Sequence, residues 1–246
     1  MKKAGSKSSG GAGKVKSGTG RAGAGARNMK TRVKTAEGRT ISSQRWLQRQ
    51  LNDPFVAAAK AQGLRSRAAF KLQQMDDRYG LFRPGMRVLD LGAAPGGWSQ
   101  IVARLIGTAQ GKAGTVLAVD INSMEPLPGV TIMQEDFLAD GAETRIRATL
   151  GGQADAVLSD MAAPSTGHKQ TDHLRILALA ETAVIFACEI LKPGGFFVCK
   201  VLQGGTEKEL LNLLKKSFSQ VRHVKPEASR SDSAELYVLA IGFRRN

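Results

Sequence analysis

The sequence predicts a doubly wound α/β domain, with a mainly parallel sheet of seven strands that closes on a C-terminal antiparallel hairpin. Three observations carry that expectation. The first is Arg87-Val-Leu-Asp-Leu-Gly-Ala-Ala-Pro-Gly-Gly-Trp-Ser-Gln100, a short apolar run, a loop of small residues and a helix-like segment. It has the strand–glycine turn–helix form found where nucleotide-like molecules bind. The second is the alternation of apolar runs with helical segments through the rest of the chain. The third is the recurrence of an acid after consecutive strands, at Asp120, Asp136 and Asp160.

Residues 1–42 are Gly, Ala, Ser, Lys and Arg with few large apolar side chains, and eleven basic residues stand against Glu37 alone. Such a segment buries too little to offset the entropy of ordering, so a disordered basic tail is expected. A domain over 43–246 follows, with basic helices in 43–80 and the α/β core in 86–246. Ser43–Leu51 and Pro54–Gln62 read as helices, the second with Asp53 as N-cap and Pro54 in its first position. Arg65–Asp76 reads as a third, with Phe70, Leu72 and Met75 inward. Its cluster of Arg65, Arg67 and Lys71 reads either as a grip on phosphates or as a solvated basic face. Strands are expected at Arg87–Leu91, Thr115–Asp120, Val130–Gln134, Ala154–Asp160, Gly195–Val201, Gln220–Val224 and Leu236–Phe243. Helices are expected at Ser99–Ile106, Glu143–Leu150, Thr171–Leu191 and Thr206–Ser217.

The 246 residues suffice for one full-sized core plus an extension, and no apolar run approaches the ~18 residues of a membrane span. Neither a secretory leader nor the Leu- and Phe-bearing amphipathic helix of a mitochondrial presequence is apparent at the start. Cys188 and Cys199 lack metal-ligand spacing and suit a reducing compartment. The three histidines form no metal cluster, so no metal is expected. A net charge of +15 points to a polyanionic partner, without separating RNA from DNA or an anionic membrane.

Asp90 precedes the glycines from inside the first strand, a poor place for a carboxylate if the loop held a diphosphate. S-adenosylmethionine, cationic at sulfur and ammonium, fits better. Asp120 is placed to accept hydrogen bonds from ribose hydroxyls, Asp136 to meet an adenine edge, and Asp160 to share their crevice. The segment Ser159-Asp-Met-Ala-Ala-Pro-Ser-Thr-Gly lacks the aromatic residue that amino-group methyltransferases use to hold an amine. Neither cysteine has the context of a cytosine-C5 nucleophile. Lys200, amid Gly195-Phe-Phe-Val-Cys-Lys-Val, needs an explanation. It is either half of a buried ion pair with Asp160 or Glu235, or a base or orienting group for a hydroxyl acceptor.

These segments resemble the FtsJ/RlmE family of ribosomal RNA large-subunit 2′-O-methyltransferases, from about Ser43 to the C-terminus. The resemblance rests on Gly63-Leu-Arg-Ser-Arg-Ala-Ala-Phe-Lys-Leu, Asp90-Leu-Gly-Ala-Ala-Pro-Gly-Gly-Trp-Ser-Gln, Ser159-Asp-Met-Ala and Phe197-Val-Cys-Lys-Val-Leu-Gln-Gly. It implies a Rossmann-like, S-adenosylmethionine-dependent methyltransferase with a Lys–Asp–Lys–Glu tetrad at Lys71, Asp160, Lys200 and Glu235. It also implies cofactor contacts at Gly96, Trp98, Asp120, Asp136 and Asp160. The acceptor it implies is a uridine in the A-loop of 23S ribosomal RNA in the assembling 50S subunit. A cytoplasmic monomer with no membrane partner goes with that reading.

A ribose 2′-hydroxyl is a weak nucleophile. A free lysine, titrating near ~10.4, is a poor base at neutral pH, so Lys200 either has a lowered pKa or stays charged and aims the hydroxyl. Lys71 then orients RNA and Glu235 orients Lys200. The sequence departs from the family pattern at Met161-Ala-Ala-Pro-Ser, which lacks an Asn, and at Ser229–Glu235, which has fewer arginines. Both departures bear on RNA contacts more than on methyl transfer. The alternatives are a tRNA anticodon-loop 2′-O-methyltransferase and a catalytically silent RNA-binding assembly factor, against which an intact tetrad speaks.

Overall fold

The computed structural model describes residues 40–203 and 208–245. The expected basic tail lies outside these residues except at its last three positions, as does the expected start of a helix at Thr206. Three helices come first: α1 (Ile41–Leu51), α2 (Pro54–Ala61) and α3 (Ala69–Tyr79). The core follows as β1 (Arg87–Leu91), α4 (Gly97–Ile106), β2 (Thr115–Asp120), β3 (Thr131–Gln134), α5 (Ala142–Leu150), β4 (Ala154–Ser159), α6 (Lys169–Ile190), β5 (Leu191–Leu202), α7 (Lys208–Ser217), β6 (Phe218–Val224) and β7 (Glu235–Phe243). The sheet has seven strands in the order β3-β2-β1-β4-β5-β7-β6. The first five run parallel, while β7 lies antiparallel between β5 and β6. This is the Rossmann-like arrangement, and its crevice opens at the carboxyl ends of β1, β2 and β4.

The central strands are apolar on both faces because helices cover both. Leu89, Leu91, Val157, Phe197 and Val201 pack against α5, α6 and α7. Val88, Leu158, Val198, Tyr237 and Leu239 pack on the opposite side with Leu72, Met75, Trp98 and Ile101 of α3 and α4. Alternation along β5 therefore sends Lys200 to the α3–α4 side, opposite the face of Cys199 and Val201. The N-cap of α2 is as expected: Asp53 accepts a hydrogen bond of 3.0 Å from the Phe55 N–H.

Two elements begin four residues away from where the sequence places them, the other described elements within two. Helix α3 starts at Ala69 rather than Arg65, because the Arg65 N–H is held by Gln100 Oε1 at 3.0 Å. The bonds Ala69 N–H to Ser66 O and Phe70 N–H to Arg67 O then turn the chain tightly into the helix. A tertiary contact here overrides local helix propensity. Strand β5 starts at Leu191, paired with Ala154; its register then shifts so that Phe196 pairs with Ala156, and exposed Lys192, Pro193 and Gly194 bulge between the two pairs.

Candidate active site

Lys200 and Tyr237 are cross-strand partners in the β5–β7 ladder. Both belong to the α3–α4 side of the sheet, and Lys71 comes down on them from α3. The Lys71 ammonium lies 2.6 Å from Glu235 Oε1 and donates to the Tyr237 hydroxyl at 3.0 Å. That hydroxyl donates in turn to Asp160 Oδ1 at 3.0 Å, and the same oxygen lies 3.0 Å from Lys200 Nζ. Lys200 also donates to the backbone carbonyl of Asp160. A continuous polar path thus runs Glu235–Lys71–Tyr237–Asp160–Lys200. The ion pair expected for Lys200 is made with Asp160, and Glu235 pairs instead with Lys71.

The two lysines each keep 9% of their side chains exposed, so neither charge is fully solvated and the pairing is needed to hold them. Burial pushes the Glu235 carboxyl up, but the Lys71 ammonium beside it, helped by Lys200 and by the Ser229 hydroxyl, overcomes that and holds it below the usual carboxylate range. Burial, together with the charges of Asp160 and Glu235, keeps the Tyr237 phenol protonated well above its ordinary titration range. Tyr237 is therefore a fixed donor to Asp160. Its importance is not visible in the apolar run Leu236-Tyr-Val-Leu-Ala; the one available hint is that a buried phenol needs a partner.

On the other side of Asp160 lies a cavity of about 610 Å³, also lined by Gly92, Asp120, Asp136 and Met161. Asp120 Oδ2 accepts from the Ala94 N–H at 2.8 Å and Oδ1 from the Asn122 N–H at 2.8 Å, which ties β2 to the glycine loop. Asp136 Oδ1 accepts from the Leu138 N–H at 2.9 Å. Exposed Ile121 and Leu138 add apolar walls. Gly92, at φ +72, cannot be replaced freely: a Cβ there would stand 2.7 Å from Met161 Cα. Of the residues expected at a cofactor, Asp120, Asp136 and Asp160 line this cavity together. Gly96 does not; its α-carbon faces Leu127 and Arg65. Trp98 is buried behind the loop, donating to the Ala68 carbonyl at 2.9 Å and packing 5.4 Å from the Tyr237 ring.

Trp98 instead walls a small chamber of about 140 Å³ shared with Asp90, Gly92 and Asp160. Asp90 is fully buried: Oδ2 accepts from the Ser99 hydroxyl at 2.6 Å, while Oδ1 has no partner among the described residues. Burial, only partly offset by Ser99 and reinforced by Asp160 and Asp120, pushes this carboxyl up to about 7. An orphaned buried carboxylate beside a crevice with acids at three strand ends suits a cationic occupant. The residues present fit S-adenosylmethionine.

The basic cluster of the segment before α3 is spent internally. Arg65 donates to the carbonyls of Pro95, Glu125 and Pro126 at 3.2, 2.7 and 2.7 Å. It therefore clamps the glycine loop to the segment after β2, and neither grips phosphate nor forms a solvated face. Arg67 pairs with the buried Asp53 at 3.1 Å and donates to the Ala228 carbonyl. Arg230 joins the same Asp53 carboxylate at 3.3 Å. Beyond β4, Asp172 gathers Ser165 and Thr166 and holds the 161–168 loop against the crevice.

Cys199 is buried and burial pushes its thiol up to about 12; Cys188, half-buried, is raised in the same way. Neither is poised as a nucleophile. Among the described residues no group of His, Cys, Asp and Glu could hold a metal ion, and no helix is long and apolar enough to cross a membrane.

The sequence model of the FtsJ-like methyltransferase family matches residues 64–243. The chain is 60% identical over 235 residues to the ribosomal RNA large subunit methyltransferase E of Parvibaculum lavamentivorans, covering 93% of this chain and 92% of that protein. It is 62% identical over 218 residues to the protein of the same name from Xanthobacter autotrophicus, covering 89% and 85%. Among solved structures it is similar to a ribosomal RNA methyltransferase from Plasmodium falciparum, with a TM-score of 0.64 and 27% identity, over 73% of this chain and 98% of that one.

Proposed function

The chain belongs to the FtsJ-like methyltransferase family, and from that membership we propose that it methylates the ribose 2′-hydroxyl of a uridine in 23S ribosomal RNA, in the A-loop of the 50S subunit. The relatives at 60% and 62% identity are named for methylation of large-subunit ribosomal RNA. The observation that carries the reading is the position of Asp160, which lines the 610 Å³ crevice and anchors the Lys200–Tyr237–Lys71 path. A methyl source and a hydroxyl acceptor can therefore meet at one residue.

S-adenosylmethionine, when bound, supplies an electrophilic methyl group on sulfur. Asp120 and Asp136 would hold its adenosine, and Asp90 and Asp160 its cationic end. Gly96 and Trp98 act from behind, by shaping the loop. Lys200 commits two N–H groups to Asp160, leaving one to aim at the acceptor oxygen. An ammonium held so firmly fixes the direction of the oxygen lone pair, and the hydroxyl proton leaves to water. Such positioning can supply roughly 7–11 kcal/mol of a transfer barrier. Tyr237 and Lys71 keep Asp160 from turning away, and Glu235 balances Lys71. A cytoplasmic monomer acting on the assembling subunit completes the reading, with residues 1–42 as an electrostatic arm along RNA phosphates.

The test is Lys200→Ala with radiolabelled methyl donor on 50S particles. Near-wild-type transfer would sink the mechanism; transfer to tRNA but not to 50S particles would sink the substrate.

A further inference from the structure

Next to the tetrad the surface opens into two connected hollows that methyl transfer itself does not use. The first is a cleft of about 240 Å³ reached from Lys71 and Glu235. The second is a wider cavity of about 800 Å³ between α1, α2 and the loop joining β6 to β7. Arg49, Arg67 and Arg230 line both, so the two are continuous.

Their chemistry differs. Among the described residues the small cleft sets Arg49, Arg67, Lys71 and Arg230 against Asp232 and Glu235, and because Arg67 and Arg230 share the one Asp53 carboxylate, positive charge remains in excess. In the wide cavity the same three guanidiniums are balanced by Asp53, Glu227 and Asp232. Its wall includes the half-buried Phe55 ring, with the Arg67 guanidinium 5.9 Å from the ring centroid. Phe55 is itself braced by Phe70 at 5.5 Å. Arg67 is fixed by Asp53 and the Ala228 carbonyl, so this aromatic–guanidinium pair is rigid before any ligand arrives. A basic cleft suits a phosphate. A charge-balanced hollow with an aromatic wall and a planar cation suits an unstacked base.

We propose that the wide cavity binds the base of the nucleotide adjoining the methylated one, with the intervening phosphodiester in the small basic cleft. The inference rests on the RNA reading above. It adds that the enzyme recognises a splayed dinucleotide step rather than a single ribose. The base beside the target leaves the stack and enters the cavity formed by α1, α2 and the 225–234 loop.

The experiment uses the full chain with 50S particles from cells lacking the protein. Wild-type protein is first assayed for ribose methylation and the modified nucleotide mapped; no methylation of ribosomal RNA overturns the function and this inference together. With methylation established, Phe55→benzoylphenylalanine is irradiated on the same particles and the crosslink located by primer extension. A crosslink to the nucleotide immediately 5′ or 3′ of the methylated one is expected. A crosslink to the methylated nucleotide itself, to a remote nucleotide, to a ribosomal protein, or no crosslink overturns the inference and leaves the function standing. Phe55→Leu and Arg49→Ala are each expected to raise the KM for particles about tenfold, the lower range for one stacked base or phosphate contact, with kcat within about twofold. An unchanged KM in both variants overturns it, and unaltered binding of S-adenosylhomocysteine by both shows that the fold is intact.

Discussion

Tyr237 Oη donates to Asp160 Oδ1 across 3.0 Å, from a ring with no exposed surface. That single bond joins the strand bearing Glu235 to the strand end that lines the crevice. Tyr237→Phe removes it while preserving the ring's packing on Trp98. The expected result is a fall in kcat of about 10- to 100-fold with methyl-donor affinity little changed, and a stability loss of roughly 1–2 kcal/mol from the polar groups left short of a partner. Steady-state kinetics and denaturant unfolding read the two effects separately.

Glu235→Gln takes away the charge that balances Lys71. Because Lys71 holds the Glu235 carboxyl below its usual range, Glu235 is ionised in the folded protein throughout neutral pH. Its stabilising contribution is therefore complete above the ordinary carboxylate pKa and is lost only as pH falls through its lowered value. Activity should drop at all pH values from 6 to 9 without any change in the shape of the pH–rate profile. A new limb inside that window would contradict the assignment.

Asp90 behaves in the opposite sense. Its folded pKa, near 7, exceeds the ordinary value of 3.8, so stability falls as pH rises from about 4 to about 7 and then levels. The full penalty is about 4 kcal/mol. Asp90→Asn should thus raise stability at pH 8 and make progressively less difference toward pH 4, as followed by urea unfolding across that range. S-adenosylmethionine should bind the variant more weakly at pH 8, which calorimetry can measure.

Arg65→Ala should raise the KM for the methyl donor about tenfold, because three carbonyls on two loops lose their shared guanidinium. Arg65→Lys should restore little, since one ammonium cannot reproduce the planar fork. Recovery by Lys to near wild-type would show that charge alone matters there.

Gly92→Ala combines a left-handed φ with a Cβ driven into the Met161 backbone. Loss of about 2 kcal/mol or more and of methyl-donor binding is expected from thermal unfolding and calorimetry.

The strands were legible in the sequence because buried parallel strands must be continuous apolar runs, and their ends carried the acids. Lys200 was legible for the same reason: a lysine in such a run is an exception that has to be accounted for. Tyr237 was not, since a tyrosine among Leu, Val and Ala reads as core until its hydroxyl is seen bonded between Lys71 and Asp160. Arg65 illustrates a different loss. Sequence reports its charge but not its partners, and its carbonyl ligands lie 30 to 61 residues away. Gly96 and Trp98 sit in a motif that marks the loop, whereas the residues touching the crevice are set by how that loop folds over β2.

Strand β7 is the last in sequence yet lies between β5 and β6 rather than at the edge. Everything that shapes the methyl-donor crevice comes earlier in the chain, up to α6, whereas Glu235 and Tyr237 arrive only with β7. Synthesis is vectorial, so a growing chain carries the residues for one half of the reaction well before those for the other. A nascent chain stopped before residue 235 has its crevice residues but lacks the two groups that lock Lys71 and Asp160 in place. On the mechanism proposed above, methyl transfer then awaits the insertion of one late strand into the middle of a sheet already begun.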